Sequence, residues 1–67
     1  MNTKSIRNDW KLIESLIQEN AKVLDIGCGE GGLINQLELN IMADTRGIEI
    51  DPKLARKAIA SGHNVVE

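Results

Sequence analysis

The chain of 67 residues carries a net charge of −2, one cysteine, one histidine and a single aromatic side chain, which limits it to one domain with a small core. One cysteine excludes an internal disulfide, no Cys/His cluster indicates a metal site, and the mixed charges leave neither a basic patch nor a stacking platform for nucleic acid. No apolar run approaches the roughly 20 residues that span a bilayer, and the N-terminus lacks a signal-peptide core, so we expect a cytoplasmic protein without a membrane segment.

The first predicted element is an amphipathic helix from about Asn8 to Gln18. Asn8 or Asp9 is predicted to cap its first turn, because short polar side chains accept hydrogen bonds from the first free N–H groups of a helix. The apolar residues recur at spacings of three and four, which predicts one face for a core. They are Trp10, Leu12, Ile13, Leu16 and Ile17.

A strand from Val23 to Ile26 follows, and its β-branched and aliphatic content is typical of a buried parallel strand. After a run of glycines, the spacing of Leu33, Ile34 and Leu37 predicts a second helix that ends near Asn40. Residues 41–44 then form a connection to the next strand.

The second strand is predicted from Thr45 to Ile50. Asp51 is placed to cap a third helix, and Pro52 fits its first position, where the missing N–H of proline costs nothing. Gly62 fits the residue just past the end of this helix, and residues 65–67 begin a third strand. The predicted buried face of the third helix consists of Leu54, Ala55, Ala58 and Ile59.

The order of elements is α-β-α-β-α-β, which predicts an α/β fold with a parallel sheet in which the third strand lies beside the second and the second beside the first. The strand from Val23 to Ile26 is then an apolar edge, and an uncovered edge invites association. Doubly wound folds add further strands on that side. We therefore expect residues 1–67 to be the first half of a larger domain, with this edge covered by the rest of that domain or by a partner chain.

The glycine turn at residues 27–32, Gly-Cys-Gly-Glu-Gly-Gly, is the predicted binding site. In α/β folds ligands bind at the carboxyl ends of strands, where glycine lets backbone N–H groups approach them. Read through Gly32, the turn fits the dinucleotide pattern G-x-G-x-x-G, and read through Gly31 it fits G-x-G-x-G. The glycines alone do not decide between these ligands.

The charges around the turn favour a cationic ligand. Asp25 lies two residues before Gly27, and Glu30 lies within the turn. Two like charges about 4 Å apart at an effective dielectric of about 20 cost about 4 kcal/mol, so the pyrophosphate of a dinucleotide is disfavoured. S-adenosylmethionine has no phosphate and carries an ammonium and a sulfonium.

Each part of S-adenosylmethionine has a candidate contact. Asp25 is placed to accept from the ammonium directly or through water, and Gly27, Gly29 and Gly31 offer backbone to the methionine and ribose. Glu49 falls 22 residues after Gly27, where an acid accepts hydrogen bonds from ribose hydroxyls. Ile50, the next residue, is placed to press against the adenine.

Five other side chains are expected to have structural roles. Cys28 is expected to be a small packing residue, because nothing basic nearby lowers its pKa. His63 is expected to be an exposed turn residue, Trp10 a core residue of the first helix, and the pair at 56–57 a solvated helix face. No general base is nominated, because the sulfonium is already an activated leaving group.

Residues 23–31, Val-Leu-Asp-Ile-Gly-Cys-Gly-Glu-Gly, resemble the first motif of class I S-adenosylmethionine-dependent methyltransferases, and residues 47–51, Gly-Ile-Glu-Ile-Asp, resemble their second. With Ile6-Arg7-Asn8-Asp9-Trp10 before them and residues 61–66 after them, the chain is similar to the N-terminal part of the MetW family. The resemblance implies a Rossmann-like methyltransferase fold, a link to methionine biosynthesis and action with a homoserine O-acyltransferase. It also implies further strands beyond Glu67.

Two alternatives stay open at this point. One is a non-catalytic regulatory module that keeps the fold and activates an acyltransferase. The other is a half-domain that binds NAD(P).

Overall fold

The computed structural model describes the backbone of residues 3–67 and the side chains from residue 9 onward. Its order of elements confirms the predicted α/β fold. No helix in this part of the chain is long and apolar enough to cross a membrane. The elements are α1 (Thr3–Ser15), β1 (Lys22–Ile26), α2 (Gly32–Ile41), β2 (Asp44–Ile48), α3 (Pro52–Ala60) and β3 (Val65–Val66).

The three strands form one parallel sheet in the order β1-β2-β3, as predicted. Asp25 of β1 lies opposite Gly47 of β2, and Gly47 in turn lies opposite Val65 of β3. Because the strands run in the same direction, the turns that follow β1 and β2 emerge at the same edge of the sheet. This edge holds the glycine turn.

The core lies between one face of the sheet and the helices α2 and α3. Gly47 permits close packing there, because a Cβ at this position would lie 2.6 Å from Sγ of Cys28 and 2.9 Å from Cδ1 of Ile34. The side chains that are fully buried between helix and sheet are Ile34, Leu37, Ala55 and Ala58.

The opposite face of the sheet is uncovered within the described residues. Leu24 and Ile26 are exposed, Ile26 by 75%, so the prediction of a buried first strand is wrong for this part of the chain. Ile48 and Val66 are exposed on the same face as these two residues. The physical reason is that both packed helices lie on the other side, where Thr45 and Gly47 point.

The first helix begins earlier than predicted. It runs from Thr3 to Ser15 rather than from Asn8 to Gln18, so Asp9 lies inside the helix and not at its cap. Asn8 lies in the same helix, and its side chain is outside the described residues. The residues before it extend the helix without a Gly or Pro to stop it.

The predicted apolar face of α1 is only partly packed. Trp10 and Ile17 are half-buried, and between them Glu14 accepts hydrogen bonds from the side-chain amides of Gln36 at 3.2 Å and Asn40 at 2.9 Å. The helix therefore meets α2 through a mixed polar and apolar face. The rest of the predicted face is exposed and consists of Leu12, Ile13 and Leu16.

Both ends of α3 confirm the sequence prediction. The Asp51 carboxylate accepts from the backbone N–H groups of residues 53 and 54 at 2.9 and 3.4 Å. At the other end Gly62 has a φ of +91°, its N–H donates to the carbonyl of Ile59, and the N–H of His63 donates to the carbonyl of Ala58. These two bonds form a Schellman motif. One predicted core residue of this helix, Ile59, is half exposed instead.

Candidate functional site

The glycine turn is tied to the end of β2. The N–H groups of Gly27 and Cys28 both donate to the carbonyl of Ile48, at 2.7 and 3.2 Å. Gly27 and Gly29 have φ angles of +77° and +60°, which side chains other than glycine adopt at a cost. A Cβ on either residue would meet nothing within 4 Å, so this side of the turn is open.

Glu49 lies at the centre of the site, in the turn that follows β2. The residue is 7% exposed, and its Oε1 accepts from the N–H of Gly29 at 2.7 Å while Oε2 accepts from the N–H of Asp51 at 2.9 Å. Hydrogen bonds to an ionised carboxylate are roughly twice as strong as neutral ones. One side chain therefore fixes the turns after both strands.

Asp25 lies beside Glu49. Its own half-burial, followed by the nearby Glu49 carboxylate, raises the pKa of Asp25 above its ordinary value, because both effects disfavour the charged form. A cation placed between the two carboxylates relieves this repulsion. The structure thus brings Asp25, Glu49, Gly27 and Gly29 together, as the sequence predicted.

The remaining two predicted site residues have different surroundings. Ile50 follows Glu49 and is 92% exposed, with its apolar side chain free of protein contacts that would bury it. Gly31 is the N-cap of α2, with a φ of +91°. A Cβ on Gly31 would lie 2.7 Å from the ring of His63, so this glycine faces a packed side chain and not the open side of the turn.

Glu30 contributes less to the field of the turn than the sequence argument assumed. Its carboxylate lies 3.1 Å from Nζ of Lys57 on α3, with both side chains more than half exposed. Such an exposed pair adds little stability. The negative character of the site therefore comes from Asp25 and Glu49.

Cys28 is buried in the turn, with its Sγ directed toward Gly47. Burial, with smaller contributions from Asp25 and Glu49, raises the pKa of the thiol. A thiol held in its neutral form is a poor nucleophile. This agrees with the predicted packing role.

The sequence reasoning missed the position of His63. Its side chain is 8% exposed, and Nδ1 lies 2.8 Å from Oε1 of Glu38, so the prediction of an exposed turn residue is wrong. The Schellman turn at Gly62 directs the chain back onto α2, and the missing side chain of Gly31 makes room for the ring. A glycine at the end of the helix directly before the histidine was the available signal.

Trp10 was predicted only as a core residue. Its ring lies over Gly32, where a Cβ would be 2.6 Å from Cη2. Trp10 and His63 are two walls of an open cavity of about 510 Å³, a size typical of small-molecule sites. The lining residues are Trp10, Cys28, Gly29, Glu30, Gly31, Gly32, Asn35, Ser61 and His63.

Within the described residues, no group of three or more His, Cys, Asp or Glu side chains is arranged to hold a metal ion. The two carboxylates that flank the turn are those of Asp25 and Glu49, and Glu49 already accepts two backbone N–H groups. The site offers negative charge and hydrogen-bond acceptors to a ligand.

The family model described as "Methionine biosynthesis protein MetW" matches residues 7–67. A comparison with curated proteins finds no match. Among solved structures, the chain is similar to a TehB-like SAM-dependent methyltransferase from Corynebacterium glutamicum, with a TM-score of 0.75 and 30% identity over 87% of this chain and 32% of that one.

A second similar structure is described as a candidate sarcosine dimethylglycine methyltransferase from Galdieria sulphuraria. It has a TM-score of 0.66 and 21% identity, over 96% of this chain and 27% of that one, and at this identity the likeness shows the fold alone. Both likenesses confirm the predicted Rossmann-like fold. The chain spans about a third or less of the length of these two proteins.

Proposed function

We propose that this chain, because it belongs to the MetW family, forms the cofactor-binding part of an S-adenosylmethionine-dependent methyltransferase. The family match covers the glycine turn and the turn after β2, where the candidate site lies. The proposal depends on one observation above all. Two carboxylates, those of Asp25 and Glu49, converge on an open glycine turn, and each disfavours an anion there.

The residues fit the parts of the cofactor. The open side of Gly27 and Gly29 admits the methionine and ribose portion, because no atom lies where their side chains would be. Asp25 is the proposed partner of the ammonium, directly or through water. A bound cation also offsets the repulsion that raises the pKa of Asp25.

Glu49 is the proposed partner of the ribose hydroxyls. Each carboxylate oxygen has two acceptor positions, and each already accepts one backbone N–H, from Gly29 and Asp51. One position on each oxygen remains for a hydroxyl donor. The same two bonds hold the carboxylate in place before the ligand arrives, which lowers the cost of ordering it on binding.

Ile50 is the proposed apolar contact of the adenine. Its side chain is 92% exposed and directly follows the residue assigned to the ribose. An aliphatic side chain at this point gains free energy only when another surface covers it. A flat purine ring is such a surface.

Isothermal titration calorimetry on the full-length protein that the gene encodes tests the proposal. We expect S-adenosylmethionine and S-adenosylhomocysteine to bind, and NAD to bind much more weakly, because the carboxylates repel its pyrophosphate. Ile50→Ala should weaken binding several-fold without loss of stability, because the side chain is exposed. Leu39→Ala, which removes a similarly exposed aliphatic side chain from α2, is the matched control.

A second experiment compares the binding of two ligands after the negative charge at the turn is reduced. Asp25→Asn should weaken the binding of S-adenosylmethionine more than that of S-adenosylhomocysteine, because only S-adenosylmethionine carries the sulfonium charge. Tight binding of NAD, with no response to either methionine derivative, would instead assign the turn to a dinucleotide.

We further propose the link to methionine biosynthesis that the family description carries. A homoserine O-acyltransferase is the proposed partner protein, and the rest of the domain is the proposed cover for the exposed edge at β1. Co-purification of the acyltransferase with this protein is the measurement that tests the partnership. Recovery of the protein alone under the same conditions would oppose it.

A further inference from the structure

The cavity between Trp10 and His63, named here the Trp10–His63 cavity, shares Gly29 with the proposed cofactor site, but its other side chains have no role there. Its volume is about 510 Å³, and its lining residues do not include Asp25, Glu49 or Ile50. It lies against α2 at Gly31, Gly32 and Asn35, with α1 on one side and the turn after α3 on the other. The glycine turn therefore has two accessible sides.

His63 presents a defined hydrogen-bonding atom to this cavity. Nδ1 lies 2.8 Å from the Glu38 carboxylate, which as an ion can only accept a hydrogen bond. In the neutral ring the proton is then held on Nδ1, which leaves Nε2 as a bare acceptor. Within the described part of the chain, Nε2 makes no hydrogen bond, while the ring itself is 8% exposed and packed over Gly31.

The other groups of the cavity favour a ligand that combines a hydrogen-bond donor with an apolar carbon chain. The Trp10 ring forms the opposite wall, and its face attracts cations. The charged lining residue is Glu30, whose partner Lys57 lies 3.1 Å away, and Glu38 adds a further carboxylate behind the imidazole. Because Lys57 compensates Glu30, the selection comes from Nε2 of His63, a bare acceptor that repels an anion and accepts a hydrogen bond from an amine.

We propose that the Trp10–His63 cavity is a second binding site, for a small organic amine. An N–H of the amine donates to Nε2 of His63, and the carbon chain of the amine lies against the Trp10 ring. The two sites share Gly29, but the test reads out His63 and Trp10, so it does not depend on binding of a methyl donor.

The single histidine and single tryptophan of the chain make the test direct. We would label the histidine with ¹⁵N and record its ring signals by NMR at about pH 8, above the ordinary imidazole pKa of about 6.5. We expect the proton on Nδ1 and a bare Nε2. Glu38→Gln should raise the share of rings that carry the proton on Nε2, because glutamine offers Nδ1 a donor NH₂ group as well as an acceptor oxygen.

Butylamine and butyrate are the probes for the ligand, since they match in length and differ in charge. Butylamine should shift the Nε2 signal and the Trp10 fluorescence with the same saturable dependence on concentration, and butyrate should not. Glu38→Gln should weaken the butylamine response in proportion to the share of rings that the NMR spectrum shows protonated on Nε2. Lys53→Ala, an exposed change outside the cavity, should leave the response unaltered.

Two results would overturn the proposal. One is a wild-type ring with its proton on Nε2. The other is an equal response to butylamine and butyrate, which would show contact without selection for a donor. Because Glu38→Gln keeps the size and shape of the side chain, its folded state can be checked from the NMR spectrum before ligand is added. Binding of S-adenosylmethionine should be unchanged in this variant, which separates this site from the cofactor site.

Discussion

Replacement of Glu49 by alanine is the perturbation that most directly tests the described site. The carboxylate accepts one hydrogen bond from the turn after β1, at Gly29, and one from the turn after β2, at Asp51. Alanine leaves both backbone N–H groups without this acceptor. We expect the variant to lose stability as well as the proposed ribose contact.

The magnitude follows from the two bonds. A hydrogen bond to a charged group contributes about 1.5 to 3 kcal/mol, so two bonds give about 3 to 6 kcal/mol. Release of the buried charge of Glu49 and of its repulsion with Asp25 offsets part of that loss, as does water at the exposed turn of Asp51. We expect a net loss of about 3 kcal/mol, against a total of roughly 3 to 10 kcal/mol for a domain of this length.

Urea unfolding, followed by the fluorescence of Trp10, measures this loss. Glu49→Gln should cost about half as much as Glu49→Ala, because the amide keeps one acceptor oxygen and turns an NH₂ group toward the other backbone N–H. Glu30→Ala is the control in the same turn, since its exposed ion pair with Lys57 is expected to contribute under about 1 kcal/mol.

A loss below about 1 kcal/mol for Glu49→Ala would refute the reasoning, because the two N–H groups would then have lost little when their acceptor was removed. An equal loss for Glu30→Ala would also refute it. That result would assign the effect to the negative charge of the turn in general and not to the bonds of Glu49.

Three further outcomes are expected. Gly47→Ala should destabilise the fold by about 1 to 3 kcal/mol in urea unfolding, because its Cβ would lie 2.6 Å from Sγ of Cys28 and 2.9 Å from Cδ1 of Ile34; a neutral result would mean that helix and sheet are less closely packed. The raised pKa of Asp25 means that the folded state binds this proton more tightly than the unfolded state. The contribution of Asp25 to stability should therefore fall as pH rises from about 3.8 through the raised pKa, and the stability gain of Asp25→Asn should grow over the same window; a gain that shrinks with rising pH would contradict this. Cys28 should react with iodoacetamide far more slowly in the folded chain than in urea at the same pH, because burial raises the thiol pKa; equal rates would show an accessible thiolate.

Much of the fold could be predicted from local sequence. The cap at Asp51, the proline after it and the glycine at position 62 each act through backbone groups a few residues away. Their effects are therefore readable without the tertiary structure. The glycine turn is equally local, because positive φ angles at Gly27 and Gly29 depend on the absence of a side chain.

The errors lie where distant segments meet. The predicted face of α1 assumed that every apolar residue would be covered, but the covering surface of α2 includes the amides that bind Glu14, and Leu12 and Leu16 remain exposed. Glu30 was counted as a free charge because its partner, Lys57, is 27 residues away.

The sequence alone determined where the glycine turn lies and which carboxylates flank it. The spacing of Asp25 and Glu49 from the glycines places both at the carboxyl ends of neighbouring parallel strands, and that consequence follows from strand direction and register. The glycine turn itself and the position of each acid at the end of its strand are set by neighbours in the chain.

Only the tertiary structure decided which hydrogen-bond partners and packing neighbours these side chains have. It directed Glu49 inward to the N–H groups of both turns and paired His63 with Glu38 across 25 positions. It also placed His63 beside Gly31 and Trp10 beside Gly32. The physical reason is that a side chain takes its charge state and its hydrogen-bond partner from whatever atoms surround it in space. Those atoms come from segments whose approach is fixed by packing of the whole domain.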